Sequence, residues 1–326
     1  MTASRLLPFL VASVLMACAG SSTGRPIEPA PEAGWAGGAP RDAGPPPLKG
    51  PADEDEQATA PDGGVPPSQP QQPDRTQPPW SQTPSPPVEP GKVEKDVVAG
   101  GRHWRIGTEN GVIHVWRPPG YRWETAGTVL YLHGYYTNAD QAWVDHRLAE
   151  QFRDSKQNAL FIVPEAPSWR GEGVFWKDLG ELLRRVSRVT RLRIPDGPVV
   201  AVAHSGAYRT VQAWLTYDRL DELIMLDAMY GPPDAYQAWL TEGPRARAKR
   251  LIMVGVETEG RSRELMRKHP QAARRKTLPR SPSQFNLHER QARVLYLRSD
   301  RYDHFELLTK GEVMPLVLHL APLQRL

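Results

Sequence analysis

From residue 93 onward, apolar residues gather in short runs separated by longer amphipathic or polar stretches. The runs at 129–132, 160–163, 199–203, 223–226, 251–256 and 294–297 are rich in β-branched side chains and do not alternate with polar ones. Such runs predict strands buried on both faces. Between them, residues 179–189 place apolar side chains at 179, 182, 183, 186 and 189, the spacing of one helix face. Residues 207–215 follow the third run in the same way. Ahead of these, 103–106 and 112–116 flank Thr108-Glu109-Asn110-Gly111, whose Asn-Gly predicts a hairpin turn. Strand alternating with helix predicts an α/β class: a doubly wound, mostly parallel sheet with a short antiparallel lead-in.

The first quarter of the chain carries no such pattern. Nineteen of the 34 prolines fall between residues 21 and 92, and aromatic residues there are limited to Trp35 and Trp80. A segment so poor in apolar side chains cannot offset the entropy of ordering its backbone. Residues 19–92 therefore read as a disordered Pro-rich tether, with a reach between about 50 Å as coil and about 220 Å as extended polyproline. Residues 1–18 read as a secretory signal: Arg5 precedes an apolar run too short to span a bilayer. One globular domain, 93–326, remains. The tether carries −5 and the domain +8 out of a chain total of +4, and twelve basic residues crowd 245–280. That stretch suggests either a solvated arginine-rich face or an attraction to an anionic envelope polymer. Cys18 is the only cysteine, which excludes an internal disulfide framework and a cysteine metal cluster.

In open parallel sheets, sites form beyond the carboxyl ends of the strands. Immediately after the apolar runs stand His133-Gly134-Tyr135-Tyr136, His204-Ser205-Gly206-Ala207, Asp227, Glu257 and, in a later loop, Asp300, Asp303 and His304. A serine hydroxyl needs a base to become a nucleophile; a histidine supplies one near neutral pH, and a carboxylate sets that histidine's tautomer. Ser205 is the candidate nucleophile and His304 the candidate base. Asp227 and Glu257 are alternative acids, with Asp227 favoured and Glu259 less so. Asp303 reads as a surface residue. His204 reads as packing, His319 as structural, and His269 and His288 as surface residues. No phosphate-cradling glycine loop and no histidine–carboxylate metal spacing occurs, so neither cofactor nor metal is expected. No basic–aromatic platform for nucleic acid accompanies the arginines.

The strand–turn–helix context of Ser205, the upstream His133-Gly134, and the chain order serine, aspartate, histidine together resemble the α/β-hydrolases over roughly residues 112–320. Both glycines of that family's G-x-S-x-G elbow are replaced here, by Ala203 and Ala207. The resemblance implies a serine hydrolase of esterase or lipase type, with the backbone N–H groups of Tyr135 and Gly206 as oxyanion donors. It also implies aromatic walls from Tyr135, Tyr136 and Trp169, and a small-molecule or lipid ester as substrate. An amidase or peptidase of the envelope, or a binding protein without turnover, are the alternatives. Leu15-Met16-Ala17-Cys18 resembles the lipobox of bacterial lipoproteins, which implies lipidation at Cys18, a membrane anchor and a place in the cell envelope.

Overall fold

The computed structural model describes residues 88–326. The signal segment, Cys18 and the tether through residue 87 lie outside the described residues. β1 Val93–Val98, β2 Gly101–Thr108 and β3 Gly111–Arg117 form an antiparallel meander. Its Asn-Gly turn holds Gly111 at φ 86° and is closed by Thr108 Oγ1 donating to Gly111 O at 2.6 Å. β4 Gly127–Leu132, β5 Ala159–Pro164, β6 Val199–His204, β7 Leu220–Leu226, β8 Arg250–Gly255, β9 Ala273–Arg275 and β10 Val294–Arg298 complete one sheet. The strand order is β1-β2-β3-β5-β4-β6-β7-β8-β10-β9, and every pairing from β5 onward is parallel. Each of the six apolar runs lies in one of these strands, save that Val256 falls just past the end of β8. β1 and β9 have no apolar run to announce them. β1 is half exposed on the sheet edge, and β9 is three residues, Ala-Arg-Arg, held by pairing with β10.

Both faces of the sheet are covered, which explains the unbroken apolar runs. Alternate residues of one strand enter different cores: Leu130 and Leu132 face one, Val129 and Tyr131 the other. The first core receives α3 Leu179–Thr190, α4 Tyr208–Trp214, α5 Pro233–Thr241 and α6 Glu259–Arg267. The second receives α1 Ala139–Asp145, α2 Leu148–Ser155 and the C-terminal helices at Glu306–Thr309 and Val313–Leu318. α3 begins where Asp178 accepts the N–H of Glu181, and its buried face uses the expected 3.6-residue spacing at 179, 182, 183 and 186. Burying each leucine there contributes roughly 2 kcal/mol.

β4 is where the winding reverses: the chain passes from β4 to β5 on one side, and then to β6 on the other. A crevice opens at such a switch point. Leu132 is in register with Ala203, so His133-Gly134 and His204-Ser205 leave neighbouring strands side by side. Leu226 is in register with both His204 and Val254, which brings Asp227 to the same edge.

Candidate active site

Ser205 has φ +52°, a left-handed conformation that costs a non-glycine residue roughly 1 kcal/mol or more. β6 forces it by ending in a 3-10 turn, Ser205–Ala207, that feeds directly into α4. Ala203 and Ala207 are both fully buried, and Ala207 takes ordinary helical angles, so neither replaced glycine was required for conformation. The close approach lies elsewhere. A Cβ on Gly134 would lie 2.7 Å from Ser205 Cβ, and one on Gly206 would lie 2.5 Å from the Tyr135 ring. The glycines that matter therefore sit between the β4 loop and the elbow.

Asp227 is fully buried and also left-handed, at φ +46°. Its Oδ1 accepts from the N–H groups of Val256, Glu257 and Thr258 and from Thr258 Oγ1, at 2.8–3.0 Å. Its Oδ2 accepts from His304 Nδ1 at 2.7 Å. Burial alone would raise this carboxyl's pKa. The His304 bond and the donors from Val256 and Thr258 outweigh it and hold the group below the usual carboxylate range. A carboxylate only accepts, so His304 Nδ1 carries a proton and Nε2 is left facing away from Asp227.

His204, the residue before the serine, donates Nε2–H to His304 O at 2.9 Å, and its ring packs against His304 with centroids 4.6 Å apart and planes tilted by 41°. Burial, and then the proximity of His304, keep His204 well below its ordinary pKa, which matches a neutral ring with one proton. Tyr230 and Phe305 wall the other sides of His304. Ser205 Oγ makes no hydrogen bond among the described residues. Sequence reasoning missed Thr258 as a ligand of Asp227 and His204 as a brace for His304. Neither has a sequence signal, because each acts through a loop distant in the chain.

Glu257 is exposed and accepts from Tyr230 OH at 2.9 Å; only its backbone N–H serves Asp227. Burial, and then the negative charges of Asp227 and Glu257, push the Tyr230 phenol up, so it stays a donor. One ligand atom each of Asp227, Glu257 and His304 lie within 4.8 Å of one another. Asp227 is already saturated by donors and His304 Nδ1 is committed to it, so a cation there would have to break the pair. The donor set fits a hydrogen-bonded relay. Asp303 is exposed and caps the turn at Phe305 and Glu306. Asp300 accepts from Leu278 N. Glu259 is engaged by Arg263, Arg274 and Arg298.

Tyr136 and Trp169 are each 59% exposed, and Tyr136 N–H donates to Ser168 O, so the two aromatic loops are tied together. Tyr135 is partly buried over Gly206. In the basic stretch, Arg245 pairs with Asp221, Arg261 with Glu264, Arg263 and Arg274 with Glu259, Lys268 with Asp234, and Arg275 with Glu289. Much of its charge is thus neutralised locally. No helix among the described residues is long and apolar enough to cross a membrane.

No protein-family model matches the chain, and no curated protein matches it in sequence. Among solved structures it is similar to an S-formylglutathione hydrolase from Agrobacterium tumefaciens, at 12% identity and TM-score 0.46, covering 72% of this chain and all of that one. It is also similar to the feruloyl esterase module from Clostridium thermocellum, at 9% identity and TM-score 0.44, covering 72% of this chain and 96% of that one. A third is an S-formylglutathione hydrolase from Staphylococcus aureus, at 10% identity and TM-score 0.42, covering 72% and 100%. The strand order of this chain, parallel from β5 onward with helices on both faces, gives the domain a doubly wound α/β fold in which Ser205 follows β6, Asp227 follows β7 and His304 lies in the loop after β10.

Proposed function

We propose that the domain is a serine hydrolase that cleaves carboxylic esters through an acyl-enzyme. The observation that carries this is the 2.7 Å bond from His304 Nδ1 to a saturated, buried Asp227 beside a serine held at φ +52°. Ser205 Oγ attacks the acyl carbon while His304 Nε2 takes its proton. The oxyanion gathers at the N–H groups of Tyr135 and Gly206. Collapse expels the alcohol, which leaves with the proton from His304, and water repeats the sequence on the acyl-Ser205. Asp227 keeps the imidazole in the required tautomer and offsets its charge.

The substrate is a small-molecule or lipid ester, and the chain is held in the cell envelope through a lipid on Cys18. Fluorophosphonate labelling and turnover of p-nitrophenyl acetate test the chemistry. Both are expected in the wild type and neither in Ser205→Ala. Equal labelling of that variant would remove the assignment. Cleavage of matched anilides but not esters would replace it with an amidase. A folded wild type that neither labels nor turns over would leave a binding protein on this fold. Incorporation of radiolabelled palmitate, absent in Cys18→Ser, tests the anchor.

A further inference from the structure

A second histidine–carboxylate pair stands beside the elbow, with partners of its own. His133 is fully buried. Its Nδ1 lies 2.8 Å from Gly134 O, and its Nε2 lies 2.9 Å from Glu165 Oε1 and 3.0 Å from Ala166 N. A carbonyl oxygen only accepts, so Nδ1 carries a proton. Nε2 has two settings. Bare, it accepts the Ala166 N–H; protonated, it donates to Glu165. Both leave Nδ1–H on Gly134 O. Both oxygens of the same carboxylate also lie 3.3 Å from Ala139 N, the first residue of α1, and the Glu165 N–H is tied to Val112 O of β3. With Nε2–H donated to Glu165, one side chain clamps the loop 134–138 at both ends, through His133 at the front and Ala139 at the back.

Gly134 O and Tyr135 N–H belong to one peptide unit. No cis peptide occurs among the described residues, and in a trans unit the two groups point in opposite directions. Anchoring the carbonyl on His133 turns the N–H away from that ring. The elbow lies against this segment, as the clashes of a Cβ at Gly134 with Ser205 and at Gly206 with Tyr135 show. Tyr135 N–H has no acceptor among the described residues.

We infer that Glu165, acting through His133, is a positioning residue that sets the plane of the Gly134–Tyr135 peptide and so aims the Tyr135 N–H at the oxyanion. This rests on the acyl-transfer reading above. Removing a whole oxyanion donor costs about 100- to 1,000-fold in kcat. A donor left in place but misaimed forfeits part of that.

The test uses the full chain as wild type, Glu165→Ala and Glu165→Gln, with p-nitrophenyl acetate kinetics and 15N-tyrosine amide spectra. The chain has ten tyrosines, and the Tyr135 resonance is identified by its disappearance in Tyr135→Phe. Glu165→Ala is expected to lower kcat on the order of 10- to 100-fold with KM within about threefold, and to shift the Tyr135 amide. Glu165→Gln, whose amide still reaches Nε2, recovers most of the rate and returns the resonance. If Glu165→Ala does not fold, His133→Phe, which keeps a ring but loses both bonds, is expected to give the same loss and the same shift. Wild-type kcat and an unmoved Tyr135 amide in these variants would overturn the inference, as would a change confined to KM or a glutamine variant as slow as the alanine one. Where the wild type itself neither labels nor turns over, the ester reading fails. The Tyr135 amide then still decides the clamp: a shift in Glu165→Ala supports it and an unmoved resonance overturns it.

Discussion

Glu222 stands in β7, fully buried, with no hydrogen-bond partner for either carboxyl oxygen among the described residues. Its nearest cation, Arg250, is 3.8 Å away and spends its donors on the carbonyls of Ala292, Glu289 and Leu320. Burial therefore raises this carboxyl from 4.5 to about 7; Arg250 lowers it only in part and Asp221 adds to the rise. With the folded pKa above the unfolded one, the protonated group contributes stability that is complete below pH 4.5 and lost as pH rises through 7. The interval corresponds to about 3 kcal/mol. Glu222→Gln removes the titration while keeping shape. The variant is expected to gain roughly 2 to 3 kcal/mol on the wild type between pH 5 and pH 8, or about 4–12 °C in Tm for a domain of this size. Urea unfolding at pH 5, 6, 7 and 8 measures it. Only the difference between the two proteins is compared. The buried His103, lowered to about 4, and His146, lowered to about 3, lose stability as pH falls below 6.5 and would otherwise mask the trend. A constant difference across this range would refute the reasoning, because it would mean that Glu222 does not change charge there.

Three further outcomes follow from the site. Asp227→Asn should lower kcat by on the order of 10⁴-fold by releasing the His304 tautomer, whereas Glu257→Gln should stay within about threefold; a larger loss in the Glu257 variant would reassign the acid. Gly134→Ala places a methyl group 2.7 Å from Ser205 Cβ and should cut kcat at least about 10-fold, read with fluorophosphonate labelling rates. His204→Phe keeps a ring against His304 but removes the bond to its carbonyl. It should cost about 1–3 kcal/mol of stability and about 10-fold in kcat, and unchanged values on both counts would show that the bond does not brace His304.

The strands that carry the site were legible because a strand buried on both faces must be apolar throughout, and that is a local property. Position just after a strand is local too, which is why Ser205, Asp227 and Glu257 could be nominated, and His304 from the loop that follows the last apolar run. Their division of labour was not. Asp227 and Glu257 each follow an apolar strand, so the sequence could favour Asp227 but not decide between them. In the structure Asp227 turns at φ +46° beneath the N–H groups of 256–258 and toward His304, while Glu257 reaches outward to Tyr230. The basic stretch shows the same limit: it looks like an isolated charge cluster until Asp221, Asp234 and Glu289 arrive from other elements.

What the amino-acid order determined unaided is the α/β class, the strands of the sheet centre and a serine placed after one of them. Hydrophobic spacing and turn chemistry act within a few residues, so they can be read along the chain. What only the tertiary structure decided is which carboxylate meets His304, which glycines are obligatory, and that Glu165 joins His133 at the Tyr135 loop. These depend on neighbours brought together by parallel crossovers, and the register of β4 against β6 and β7 against β8 has no counterpart in any single stretch of sequence.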